Sequence, residues 1–181
     1  MDPIVIGGLA GAIGSVVTAF TTQLFAHRIK AQELKHADRV RLEQQRSEES
    51  KLLDEQRRST YVALNSAARE FHAALTDLLH AVQLDEPRDG EREALEQARS
   101  AYRLCYAEAQ LSVNDEILEA ASQVNRTLTS LFGVVKRLDN GNPRAGDNFD
   151  SAEGERQRVW GRIEQLRLLM RSDLGVGELV V

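Results

Sequence analysis

Residues 112–138 read SVNDEILEAASQVNRTLTSLFGVVKRL. Ser112, Asn114 and Asp115 are residues that cap helix N-termini, because a short side-chain oxygen can accept from an orphan backbone N–H. Behind them Leu118, Ala121, Asn125, Leu128, Phe132 and Val135 return at three- and four-residue intervals, with Ile117, Val124 and Leu131 broadening the stripe. This is the period of an amphipathic helix that must bury one face against other helices.

The same period extends in both directions from this stretch. Upstream, Leu95, Ala98, Tyr102, Cys105 and Ala109 share a face, predicting a helix from about Asp89 to Leu111. Before it, Tyr61, Leu64, Ala68, Phe71, Leu75 and Leu78 form the far end of a long helix that runs to about Leu84. "DEPRDGE" should break that helix at Pro87 and Gly90. Downstream, "DNGNPRAGDNFDSAEG" (139–154) reads as a mobile polar loop. A last helix follows from Asp150 or Ser151, with Val159, Ile163, Leu166 and Met170 on one face, Trp160 alongside and Gly175 placed to end it. Strand-like alternation is missing throughout. The expected fold is all-α, an antiparallel four-helix bundle over residues 58–181.

The N-terminal part obeys a different pattern. From Ile4 to Ala26 the chain carries no charge, then Arg28, Lys30, Lys35, Arg39 and Arg41 follow closely. A helix of this length rises about 35 Å, enough to cross a hydrocarbon layer of roughly 30 Å with some tilt. "MDP" lacks the basic residues of a signal peptide, and no small-x-small cleavage site follows. Residues 1–26 are therefore expected to be a transmembrane anchor in the inner (plasma) membrane, with the N-terminus outside and the bulk of the chain cytoplasmic by the positive-inside rule. Within it Gly7, Gly11, Ser15 and Ala19 recur every four residues, beside a second small row that includes Gly14. Rows of this kind let helix backbones approach in lipid, so Gly7, Gly11, Gly14 and Ser15 are the candidate self-association residues.

Residues 27–57 form the expected stalk. It has no Gly or Pro, and opposite charges stand at helical spacing, as in Lys30/Glu33, Arg39/Glu43 and Asp54/Arg58. Leu42, Leu53, Leu64 and Leu75 recur every eleven residues, a period close to that of a straight helix.

The composition bounds the chemistry. The formal charge of the 181 residues is −5, and it sits mainly beyond residue 60, so a nucleic-acid partner is not expected. Glu33–His36 and Asp77–His80 are half-motifs of a di-iron bundle, but one lies in the stalk and no inward Glu accompanies either. His72 and His80 are read as histidines of the bundle segment, and Cys105 as a small core residue. "GGLAGAIG" follows no strand and so is not a nucleotide loop. No catalytic residue, metal ligand or cofactor site is expected.

One resemblance rests on Arg57, Arg58 and Tyr61, an Arg-Arg-x-x-Tyr leading into an Ala-rich bundle, and on Arg171, Asp173, Leu174 and Gly175 at its close. In this order of parts the chain resembles a loose group of uncharacterised, N-terminally membrane-anchored helical proteins of high-GC bacteria. The likeness covers most of the chain, though the 139–154 loop departs from it. It implies the anchored helical architecture and brings no activity. The function expected is that of a non-enzymatic, single-pass scaffold that binds lipid bilayer, itself and a cytoplasmic protein. The alternative is a membrane effector whose associating Gly-rich helices perturb or perforate the bilayer.

Overall fold

A computed structural model describes the backbone of residues 4–86 and 88–176, and the side chains of residue 39 and of residues 41–86 and 88–176. Four helices and no strand occur among them: α1 (Ile4–Gln83), α2 (Asp89–Ser112), α3 (Asp115–Asp139) and α4 (Phe149–Asp173). The chain divides into two compact units, Met1–Leu53 and Asp54–Val181. The expected span at 4–26, its seam of Gly7, Gly11, Gly14 and Ser15, and Glu33–His36 lie outside the described side chains. Among the described residues no helix is long and apolar enough to cross a membrane. In the first unit Leu42, Leu52 and Leu53 are exposed, so the two members of the eleven-residue row found there, Leu42 and Leu53, serve no core.

The second unit is a helical bundle with one hydrophobic core. Tyr61, Leu64, Ala68, Phe71, Leu75 and Leu78 of α1 are all buried. They meet Leu95, Tyr102 and Ala109 of α2 and Ala152, Val159, Ile163, Leu166 and Met170 of α4. On α3 the stripe is rotated from its expected centre. Ile117, Ala121, Val124, Leu128, Leu131 and Val135 are buried, whereas Leu118, Asn125 and Phe132 are half-buried at its flank. Eight apolar positions make the arc wide. The polar Asn125 marks its edge, and burying that amide unpaired would be costly.

Hydrogen bonds across the bundle run between opposite helix ends. The start of α3 reaches the end of α4 (Asn114 to Asp173), and the start of α2 meets the end of α3 (Arg88 to Asp139). Each pair is thus antiparallel, as short connections require.

The helix ends explain the boundaries. Asn114 caps α3, its Oδ1 accepting from Ile117 N–H at 2.9 Å. Asn148 and Ser151 form a capping box at the start of α4. That box starts the helix at Phe149, one or two residues before the expected Asp150 or Ser151, so the loop expected over 139–154 ends at Asn148. The remaining connection is tied down. Arg137 grips Asp147 with two parallel N–H groups, and Asp147 also accepts from the backbone of Arg144 at 2.8 Å.

Three helices close with the same paired reverse hydrogen bonds. At α3 they are Asn142 N–H to Arg137 O and Gly141 N–H to Leu138 O, and at α4 Val176 to Arg171 and Gly175 to Ser172. Gly141 and Gly175 take the left-handed backbone this demands, at φ of 66° and 67°. At α1 the position falls to Asp85, φ 52°, with Glu86 N–H on Ala81 O. The helix therefore breaks at Asp85. Gly90, expected as a breaker, lies inside the first turn of α2.

Candidate functional site

His72 is buried between α1 and α4, and its Nε2 lies 3.1 Å from the Arg156 carbonyl oxygen. A carbonyl only accepts, so Nε2 carries the proton. Burial pushes the His72 pKa below its usual value, against the opposing pull of that hydrogen bond. The ring packs on Trp160 at 5.6 Å, and the Arg69 guanidinium stands over the same indole at 4.9 Å. His80 is exposed, beside Glu153 in a groove that Phe149 and Arg156 also line. Cys105 is half-buried against the core, where burial raises its thiol pKa and keeps it a thiol. Among the described residues no group of three or more His, Cys, Asp or Glu is arranged to hold a metal ion.

Two carboxylates organise the ends of the bundle. Asp139 continues the buried stripe of α3 one turn beyond Val135, with its side chain only 1% exposed. Arg88 Nε donates to it at 2.9 Å, and Arg92 approaches with Nε at 3.0 Å and Nη2 at 2.8 Å. Burial acts to raise the Asp139 pKa, but the two arginines outweigh it and hold the carboxyl below the ordinary value. At the opposite end Asp173 accepts from the Tyr61 hydroxyl and from Asn114 Nδ2, both at 2.7 Å, with Arg57 3.6 Å away. Burial, and then the Asp173 carboxylate, push the Tyr61 pKa upward. The two short motifs behind the resemblance, 57–61 and 171–175, thus meet in space as a structural clasp. Asn114 does double duty there, because the same amide caps α3.

A third feature lies between α1, α2 and α3. Phe71, Tyr102 and Phe132 wall a cavity of about 190 Å³, completed by Arg99, Arg103, Asn125 and Thr129. The Phe71 ring centroid is 5.7 Å from that of Tyr102 and 6.1 Å from that of Phe132. The Arg99 guanidinium lies over the Phe132 ring at 4.2 Å. Tyr102 is 1% exposed, yet its hydroxyl meets no hydrogen-bond partner among the described residues. A buried polar group left so costs about 1–3 kcal/mol.

No family model, curated protein or solved structure matches this chain.

The cavity lies outside every candidate named from the sequence. Its polar lining comes from α2 and α3 and falls into no motif. The one legible signal was Tyr102, a residue with a hydroxyl on an otherwise apolar stripe. The Asp139 clasp was legible in principle, since Asp139 keeps step with Leu131 and Val135 while Arg88 and Arg92 stand one turn apart.

Proposed function

We propose that this protein is a non-enzymatic, membrane-anchored helical scaffold. In this reading residues 4–26 span the inner membrane, residues 27–57 form a stalk, and an antiparallel four-helix bundle binds a cytoplasmic protein. The observation that carries it is the uncharged run of Ile4–Ala26 followed by five basic residues within Arg28–Arg41. The surface of the bundle supports it too. On α4, Trp160, Glu164 and Leu168 stand four residues apart, the indole and the leucine are exposed, and Arg69 of α1 adds charge beside them. An exposed aromatic beside an arginine, with an exposed aliphatic two turns along the same helix, is a composition typical of protein interfaces.

Gly7, Gly11, Gly14 and Ser15 would pair the spans of two or more copies. That spacing also supports the second reading, a membrane effector that perturbs the bilayer through the same seam.

Fractionation tests the first reading. Full-length protein should stay with membranes through carbonate and high-salt washes, since salt does not undo burial in lipid. Recovery in the supernatant without detergent overturns it. Gly11→Ile should reduce crosslinking between copies while Val5→Ile does not, and equal signals would remove the seam. Leakage of a small dye on overexpression would favour the effector.

A further inference from the structure

We propose that the cavity between α1, α2 and α3 is a binding site for a small, flat organic anion, an aromatic carboxylate in chemical class. Three rings from three helices, Phe71, Tyr102 and Phe132, give it apolar walls suited to a planar body. Its volume of about 190 Å³ matches one ring bearing a short polar group. Cavities of about 150 Å³ already take up benzene. A nucleotide is too large.

The polar groups around the walls select the charge. Arg99 and Arg103 line the cavity and no carboxylate does. Because the Arg99 guanidinium is seated over the Phe132 ring, its N–H donors lie at the edge of the plane. That edge is where a carboxylate takes two parallel hydrogen bonds. Its present partner, Glu96 at 3.5 Å, is a half-exposed neighbour one turn away, a weak pair that a ligand can displace. Asn125 and Thr129 add an amide and a hydroxyl. Tyr102 contributes its ring to the wall. The lining is thus mixed, three rings against two arginines, an amide and a hydroxyl, which suits an occupant that is itself half apolar and half charged.

The proposal does not depend on the membrane anchor, and its test uses the full chain in zwitterionic detergent. The probe is 4-fluorobenzoate, followed by fluorine NMR, with 4-fluorobenzyl alcohol as its uncharged counterpart. Saturable binding of the carboxylate is expected, displaced by unlabelled benzoate and weakened about tenfold by Arg99→Gln. Thr129→Met, on the exposed side of α3, should block the cavity without disturbing the core and abolish binding. Arg162→Gln, whose side chain bonds Gln123 elsewhere on the bundle, should leave it unchanged. Signals that never saturate, equal affinity for the alcohol, or an affinity unmoved by both Arg99→Gln and Thr129→Met would each overturn the assignment.

Discussion

Replacing Asp139 with Asn keeps the shape of the side chain and removes its charge. In the native bundle this carboxylate has almost no contact with water and is held by Arg88 and Arg92. Breaking a fully buried ion pair costs about 3–5 kcal/mol, because the partner is left charged and unsolvated. Here the arginines are 22% and 38% exposed and can turn to water. The expected loss is therefore smaller, about 2 kcal/mol, the range of a hydrogen bond to a charged group. For a domain of this size that lowers Tm by about 6–8 °C. Trp160 is the only tryptophan in the chain, so its fluorescence follows the bundle during thermal or urea unfolding. Asp77→Asn, at an exposed site, is the control and should stay within about 0.5 kcal/mol of the wild type. The difference must also depend on pH in one direction. Asp139 has a folded pKa below its ordinary 3.8, so its contribution is complete above that value and is lost as pH falls through the lowered one. The gap between wild type and Asp139→Asn should be constant from pH 7 to pH 5 and close below about pH 4. A gap absent at pH 7, or one that widens in acid, would rule out this role for the Asp139 carboxylate.

Leu128→Ala should cost about 2–5 kcal/mol by cavity formation, and Phe132→Ala less than a fully buried aromatic would, as read by urea unfolding. Asp85→Gly removes a left-handed aspartate and should raise stability by about 0.5–1 kcal/mol in the same assay. Gly161 lies in the middle of α4 with open space where a Cβ would go, so Gly161→Ala should stabilise by a similar amount, about 0.5–1 kcal/mol. His72 has a lowered pKa, so its contribution is present above the ordinary 6.5 and declines as pH falls below it. Urea midpoints should drop between pH 7 and pH 5 in the wild type, and His72→Gln should flatten that slope.

The helices and their apolar faces were legible because period and caps act locally. The α1 face from Tyr61 to Leu78 and the α4 face from Val159 to Met170 are buried as their spacing implied. Where the reading failed, the deciding interaction was not local or two signals competed. A wide arc hid the centre of the α3 stripe. Pro87 and Gly90 drew attention from Asp85, a residue that reaches the left-handed region less readily than glycine. The box of Asn148 and Ser151 set the start of α4 at Phe149, slightly ahead of the expected position. The cavity was out of reach, since its walls are contributed by residues as far apart as 71, 102 and 132. Only packing brings them together.

The joint at Asp173 also sets an order of events during synthesis. Tyr61 and Asn114 leave the ribosome well before the carboxylate that receives both of them. At about 5–20 residues per second, the interval between Tyr61 and Asp173 lasts on the order of 6–20 s. Throughout it the core that α1 shares with the earlier helices lacks its last member, α4. For those seconds the nascent chain depends on a chaperone, or on the provisional pairing of its earlier helices, to keep that core from its neighbours.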